Sequence, residues 1–265
     1  MTDPASEQRS VQLAPARGSR IAIVGGCGGI GRVLVDACLA AGLEVAVLDL
    51  PASLAAVKLP AELRAIAIDA TDEASVATGF AALERVWPAL DAFVGLAGFM
   101  TARTPVEALT SAQWDELVDG NLRGAFLVAR AALPLLRAGR DPALVFVSSG
   151  LSKRVLPGYA GYAAAKAGLI ALTKAIAVEN APGLRANAVA PGAVDTAFLA
   201  GGTGRDRGAS APHPGLDVAA YVKTIPLGRI ATPEDVVGPI LFLLGPASRY
   251  MTGQVLYVNG GALTP

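Results

Sequence analysis

An apolar run that breaks into glycines and then resumes as a helix constrains this chain most. Arg20-Ile-Ala-Ile-Val24 is short, apolar and β-branched, the pattern of a strand buried on both faces. Gly25-Gly-Cys-Gly-Gly-Ile-Gly31 follows at once, and a helical pattern runs from about Gly29 to Ala41. A strand that feeds a helix through a tight turn commits the next strand to lie parallel to it, because the helix is the crossover.

The alternation continues along the chain. Segments 44–48, 64–68, 91–96, 144–148, 184–189 and 254–258 read as further strands, most of them separated by helical stretches. They predict an α/β fold: a doubly wound, mainly parallel seven-stranded sheet with helices on both faces, three layers in one domain over residues 20–265. Residues 1–19, polar with two prolines, read as a flexible extension. Right-handed crossovers bring the carboxyl ends of the first, fourth and fifth strands together, so the glycine loop, Gly95–Gly98, Ser149 and Pro191-Gly192 share one crevice.

Composition narrows the function. The 22 basic and 22 acidic residues cancel, which removes any global field for nucleic acid or an anionic membrane. Two cysteines, Cys27 and Cys38, and one histidine, His213, make no zinc pattern, so no metal is expected. No signal pattern opens the chain and no uninterrupted apolar run reaches ~18 residues, which predicts a cytoplasmic protein.

Each candidate residue has a chemical use and a plainer one. Gly25 permits a tight turn, while Gly29 and Gly31 let backbone approach a phosphate at a helix N-terminus. Five glycines also read as a merely flexible loop. Asp49, ending the second strand, is placed to bind a ribose 2′-hydroxyl and to repel a 2′-phosphate, and no Arg or Lys lies within the glycine loop or beside Asp49. That favours NAD over NADP; the plainer reading is a turn aspartate before Pro51. Asn121 lies in a helical region among Leu117, Leu122, Ala125 and Phe126. It reads either as a surface position or bend, or as a buried amide that relays a proton through water. Residues 193–226, low in periodicity, read as a substrate lid, with His213 a solvated loop residue.

Tyr162 and Lys166 lie four apart at the start of a long Ala-rich helix, so they share a face. A phenol titrates near ~10 and is a poor base at neutral pH. A lysine ammonium one turn away is expected to stabilise the phenolate and lower that value, making a general acid/base. Ser149, ending the fifth strand, can hold the same substrate oxygen. Alone, the pair also reads as a helix-start aromatic and a solvated lysine.

Taken jointly, the motifs resemble the short-chain dehydrogenases/reductases in their single-domain, Rossmann-like form, over about residues 20–261. Gly25-x-x-x-Gly29-Ile-Gly31 is similar to the family's cofactor loop, Asp69 to its adenine-contacting aspartate, and Pro191-Gly-x-x-x-Thr196 to its nicotinamide-side motif. Asn121, Ser149, Tyr162 and Lys166 match its catalytic tetrad. The resemblance implies hydride transfer between NAD and a carbinol carbon. Tyr162 would be the general acid/base, Lys166 would lower its pKa and hold the nicotinamide ribose, Ser149 would orient the substrate oxygen, and Asn121 would support a water relay. It implies cofactor contacts also from Cys27, Gly28, Ile30, Leu50, Ala70, Ala97, Gly98 and Val194. Gly150, Leu151, Met100, Tyr159 and Ala193 with the lid would line the substrate end, and these small or apolar residues suit an uncharged, partly hydrophobic alcohol, diol or ketone. Tyr257-Val-Asn-Gly-Gly resembles the family's tetramer-forming end. Two departures stand out: Val24 replaces a usual threonine, and Gly95-Leu96-Ala97-Gly98 replaces Asn-Asn-Ala-Gly. Other readings are an NADP-linked 3-ketoacyl or carbonyl reductase, and a non-catalytic nucleotide-binding member of the fold.

Overall fold

The computed structural model describes residues 12–60, 62–199 and 217–264. Seven strands make one sheet in the order β3-β2-β1-β4-β5-β6-β7. They are β1 (Arg20–Val24), β2 (Glu44–Asp49), β3 (Arg64–Ala67), β4 (Ala92–Gly95), β5 (Ala143–Val147), β6 (Arg185–Pro191) and β7 (Val255–Val258). Every pairing is parallel, as helical crossovers require. The order reverses between β1 and β4, and a crevice opens at such a point beyond the strand carboxyl ends. The register sets Val24 beside both Leu48 and Gly95, and Gly95 beside Phe146, so those ends finish level.

Each central strand is apolar throughout because it feeds two cores. Val24, Leu48, Phe93 and Phe146 face a core shared with α3 (Glu73–Glu84), α5 (Gly124–Arg137) and α6 (Ala160–Asn180). Ile23, Val47, Val94 and Val145 face the other, shared with α1 (Gly29–Ala40) and α8 (Pro233–Leu244). Phe93 and Phe146 meet edge to face with ring centroids 6.0 Å apart. Gly95 belongs to this packing: a Cβ there would lie 2.3 Å from the Phe146 ring. Gly95, where the family pattern has an asparagine, leaves room for a phenylalanine ring from the next strand.

The remaining helices are α2 (Pro51–Ala56), α4 (Ser111–Val118) and α7 (Val218–Val222). Asp72 caps α3 by accepting from the Ala74 amide, as expected. Pro51, read above as following a turn, instead opens α2 at its first position. Helix α6 is long and apolar enough by composition to cross a membrane, yet half of that stretch is buried inside the protein. It packs on β6, and the Ser148 hydroxyl ties it to the end of β5 by donating to the Lys166 carbonyl at 2.8 Å. Of the lid region, residues 200–216, with His213, lie outside the described residues. The part after them carries α7 rather than irregular chain.

Candidate active site

A cavity of about 1030 Å³ occupies the crevice between β1 and β4. Gly25, Cys27, Gly28, Gly29, Ile30 and Gly31 line one end, with Asp49, Leu50 and Ala70. Ala97, Gly98, Met100, Ser149, Gly150, Leu151, Tyr159, Tyr162 and Lys166 line the middle, facing Pro191, Gly192, Ala193, Val194 and Thr196. Of the described residues expected at the crevice, Asp69, Gly95 and Asn121 do not line it.

The glycine loop is shaped by backbone contacts. Gly25 has φ of +86°, and a Cβ on it would meet the Ala97 amide nitrogen at 2.8 Å. Gly31 lies under the loop it closes, where a Cβ would fall 2.4 Å from the Gly25 carbonyl oxygen. The absence of a Cβ on Gly29 makes room for the Thr196 side chain, which joins the last cavity motif to the first turn of α1. Asp49 spans the opening: its Oδ2 accepts from the Cys27 amide at 2.9 Å and its Oδ1 from the Leu50 amide at 2.8 Å. Burial and the adjacent Asp49 carboxylate push the Cys27 thiol up to about 12, so it stays a protonated, unreactive wall. A cradle of main-chain amides at a helix start with a carboxylate beyond it suits the pyrophosphate and ribose of a dinucleotide. Arg32, on the first turn of α1 just past the loop, also lines this end with Asp36. A sequence search confined to the loop passes over it.

Asp69 turns away. Its carboxylate accepts from both the amide and the hydroxyl of Thr71, at 2.9 and 2.7 Å, and Ala70 and Thr71 reach the cavity in its place.

Asn121 sits in a π-helical turn, Asp119–Arg123, between α4 and α5. Such turns insert a residue that the α-helical ladder cannot place, which re-aims its side chain inward. Asn121 is wholly buried. Its Nδ2 donates to the carbonyls of Phe99 (2.8 Å) and Leu117 (3.0 Å), and its Oδ1 accepts from the Phe99 amide (3.2 Å). That amide, expected either at a surface or as a relay, braces the segment after β4 that carries Phe99 and Met100. It still lies close to Lys166: a Cβ on Gly98 would meet Asn121 Oδ1 at 2.5 Å and Lys166 Nζ at 3.2 Å. Asn121→Leu is expected to cost about 3 kcal/mol by removing the three buried hydrogen bonds of this side chain to Phe99 and Leu117. Urea unfolding measures this, and unchanged stability with lost turnover would restore the relay.

Tyr162, Ser149 and Lys166 converge as expected, but the electrostatics differ. Tyr162 is buried against Phe99 and Leu117, with Phe198 at 6.4 Å ring to ring. Burial pushes its phenol above the ordinary value, opposed by a hydrogen bond with Ser149. The lowering expected from Lys166 does not prevail. The lysine Nζ lies 5.7 Å from the ring centroid and donates to the Val147 carbonyl at 3.1 Å. Burial pulls its own ammonium down to about 8. A dry site favours the neutral form of both groups, and at this separation that outweighs their mutual attraction.

A switch-point cavity lined by a phosphate cradle, with a proton-carrying phenol in its middle, defines an oxidoreductase of the nicotinamide-dependent class. The chain belongs to the short-chain dehydrogenase/reductase family. The family described as enoyl-(acyl carrier protein) reductase matches residues 25–263. Two similar proteins come from Xanthobacter autotrophicus. "2-(S)-hydroxypropyl-CoM dehydrogenase 3" is 32% identical over 91% of this chain and 95% of that protein. "Inactive 2-(S)-hydroxypropyl-CoM dehydrogenase 2" is 34% identical over 86% of this chain and 98% of that protein. Among solved structures, a 3-ketoacyl-(acyl-carrier-protein) reductase from Brucella melitensis, complexed with NADH, is similar with a TM-score of 0.82 and 26% identity, over 93% of this chain and 98% of that one.

Proposed function

We propose that the chain is an NAD-dependent dehydrogenase/reductase that interconverts a secondary alcohol or diol and its ketone. The observation that carries this is the placement of Tyr162, Ser149 and Lys166 on the same cavity as the glycine loop and Asp49. The nicotinamide supplies or accepts the hydride when bound. The chain does the rest. In reduction, Ser149 holds the carbonyl oxygen and the neutral Tyr162 phenol, favoured by burial, gives it a proton. Lys166 stands behind to stabilise the phenolate left behind. In oxidation the proton returns along the same path. Asp49 supports NAD by offering acceptors to ribose hydroxyls and charge against a 2′-phosphate. The Brucella melitensis structure solved with NADH supports the same choice.

One relative's name marks it inactive, and FabG relatives are named 3-oxoacyl-[acyl-carrier-protein] reductases. A non-catalytic reading has little need of three acid/base and binding groups kept buried around one cavity. An NADP-linked reductase reading draws support from Arg32 at the ribose end. Following absorbance of the reduced cofactor over a panel of secondary alcohols and diols, with NAD+ and NADP+ in parallel, tests all three readings. No turnover on any would overturn catalysis, and faster NADP+ rates would overturn NAD. Asp49→Ala is expected to lower the NAD/NADP ratio of kcat/KM by at least about tenfold, since 1.4 kcal/mol is one decade. An unchanged ratio would show the ribose is read elsewhere.

A cytoplasmic homotetramer completes the reading. Exposed Trp114, Phe126 and Val178 on α4, α5 and α6 suit a subunit contact, which sedimentation checks.

A further inference from the structure

We infer that the substrate carries a terminal oxyanion group, such as a carboxylate, bound by Arg154. This rests on the reading above and extends it to the substrate's class. Arg154 follows the turn Gly150–Ser152, five residues after Ser149, and its amide donates to the Gly150 carbonyl at 3.0 Å. Its side chain lines the cavity. Nη1 donates to the Ala262 carbonyl at 2.7 Å, fixing the guanidinium against the C-terminal segment. No described residue takes Nε or Nη2, and no described carboxylate pairs with Arg154. That leaves the edge of the fork suited to two parallel bonds with a carboxylate.

The other described charges in the cavity lie elsewhere. Asp49 ends β2, three positions from β5 in the sheet, about 14 Å away at the usual strand spacing. Arg32 and Asp36 lie on α1 at that same end, and Asp195 adjoins Thr196, which packs on Gly29. Lys166 is buried behind Tyr162 and engaged by Val147. Among the described residues, Arg154 is thus the cation beyond Ser149 on the side away from the cofactor cradle. Leu151, Leu156 and Leu263 line the same region. An alcohol with an apolar body and an anionic end would lay its body on these leucines. The apolar lining expected from the sequence is present, and the charge lies beyond it.

The test uses a matched pair of probes, 4-hydroxypentanoate and 4-hydroxypentanamide, bound to the full chain with NADH present and followed by saturation-transfer NMR. The carboxylate is expected to bind about tenfold tighter than the amide, a preference that added salt weakens. Arg154→Gln is expected to remove that preference and Arg154→Lys to keep part of it. Equal affinity of the two probes for the native chain would overturn the inference. So would an Arg154→Gln variant in which both affinities fall together, since Arg154 would then act only as a latch on Ala262. The readout needs no turnover. Carboxylate selectivity in a chain that turns over no alcohol of the panel with NAD+ or NADP+ would therefore sink the proposed reaction and leave this inference standing.

Discussion

Tyr162→Phe is expected to lower kcat by at least about a thousandfold, the range of a lost general acid/base, while NADH still binds within about twofold of the native affinity. The substitution removes one hydroxyl. The ring keeps its contacts with Phe99, Leu117 and Phe198, so only the hydrogen bond with Ser149 is lost, and folding stability should change by about 1 kcal/mol or less. No neighbour can take over the proton. The Ser149 hydroxyl is far too weak an acid near neutral pH, and it already accepts from the Leu151 amide at 3.2 Å. Lys166 Nζ is turned to Val147. Steady-state rates with a reactive alcohol, beside a fluorescence titration with NADH, separate chemistry from binding. Turnover above about a tenth of native would take the proton-transfer role away from this tyrosine.

The same site shows where sequence reasoning reached and where it stopped. The parallel sheet, its crossovers and the meeting of Gly25, Ser149 and Tyr162 follow from an alternation that any reader of the chain can count, because parallel strands need helices between them. The charge state of Tyr162 was not legible, since spacing puts a lysine a turn away but says nothing of how much water either group keeps. Asn121 was legible as an anomaly and not as a brace, because a π-turn has no period of its own. Arg154 looks like an ordinary loop arginine until the chain end returns to meet it at Ala262. Arg185 carries the same lesson inside the sheet. A charged residue opening a buried strand is hard to justify from pattern alone. Here its Nη1 and Nη2 donate to the carbonyls of Leu243 and Leu244, satisfying the last turn of α8. For Asn121, Arg154 and Arg185 the missing information was a partner distant in sequence.

Gly31→Ala is expected to destabilise the fold by about 3 kcal/mol, at the upper end of overpacking costs, and to weaken NADH binding at least about a hundredfold. The added methyl would lie 2.4 Å from the Gly25 carbonyl oxygen and 2.7 Å from the Gly26 Cα. Both are backbone, so no rotamer change relieves the contact. Relief requires the loop to lift from α1, which spreads the amides that form the phosphate cradle. The lift also strains Gly25, already close to the Ala97 amide and held through its own amide by the Leu48 carbonyl at 2.9 Å. Gly28→Ala is the control. A Cβ there has only the Gly25 carbonyl oxygen nearby, at 3.4 Å, an ordinary contact, and its stability should stay within about 1 kcal/mol of native. Urea unfolding of the two variants together with NADH titration decides the matter. If Gly31→Ala unfolds at the native midpoint, or binds NADH as tightly as the native chain, the close packing of loop on helix does not set the cofactor site.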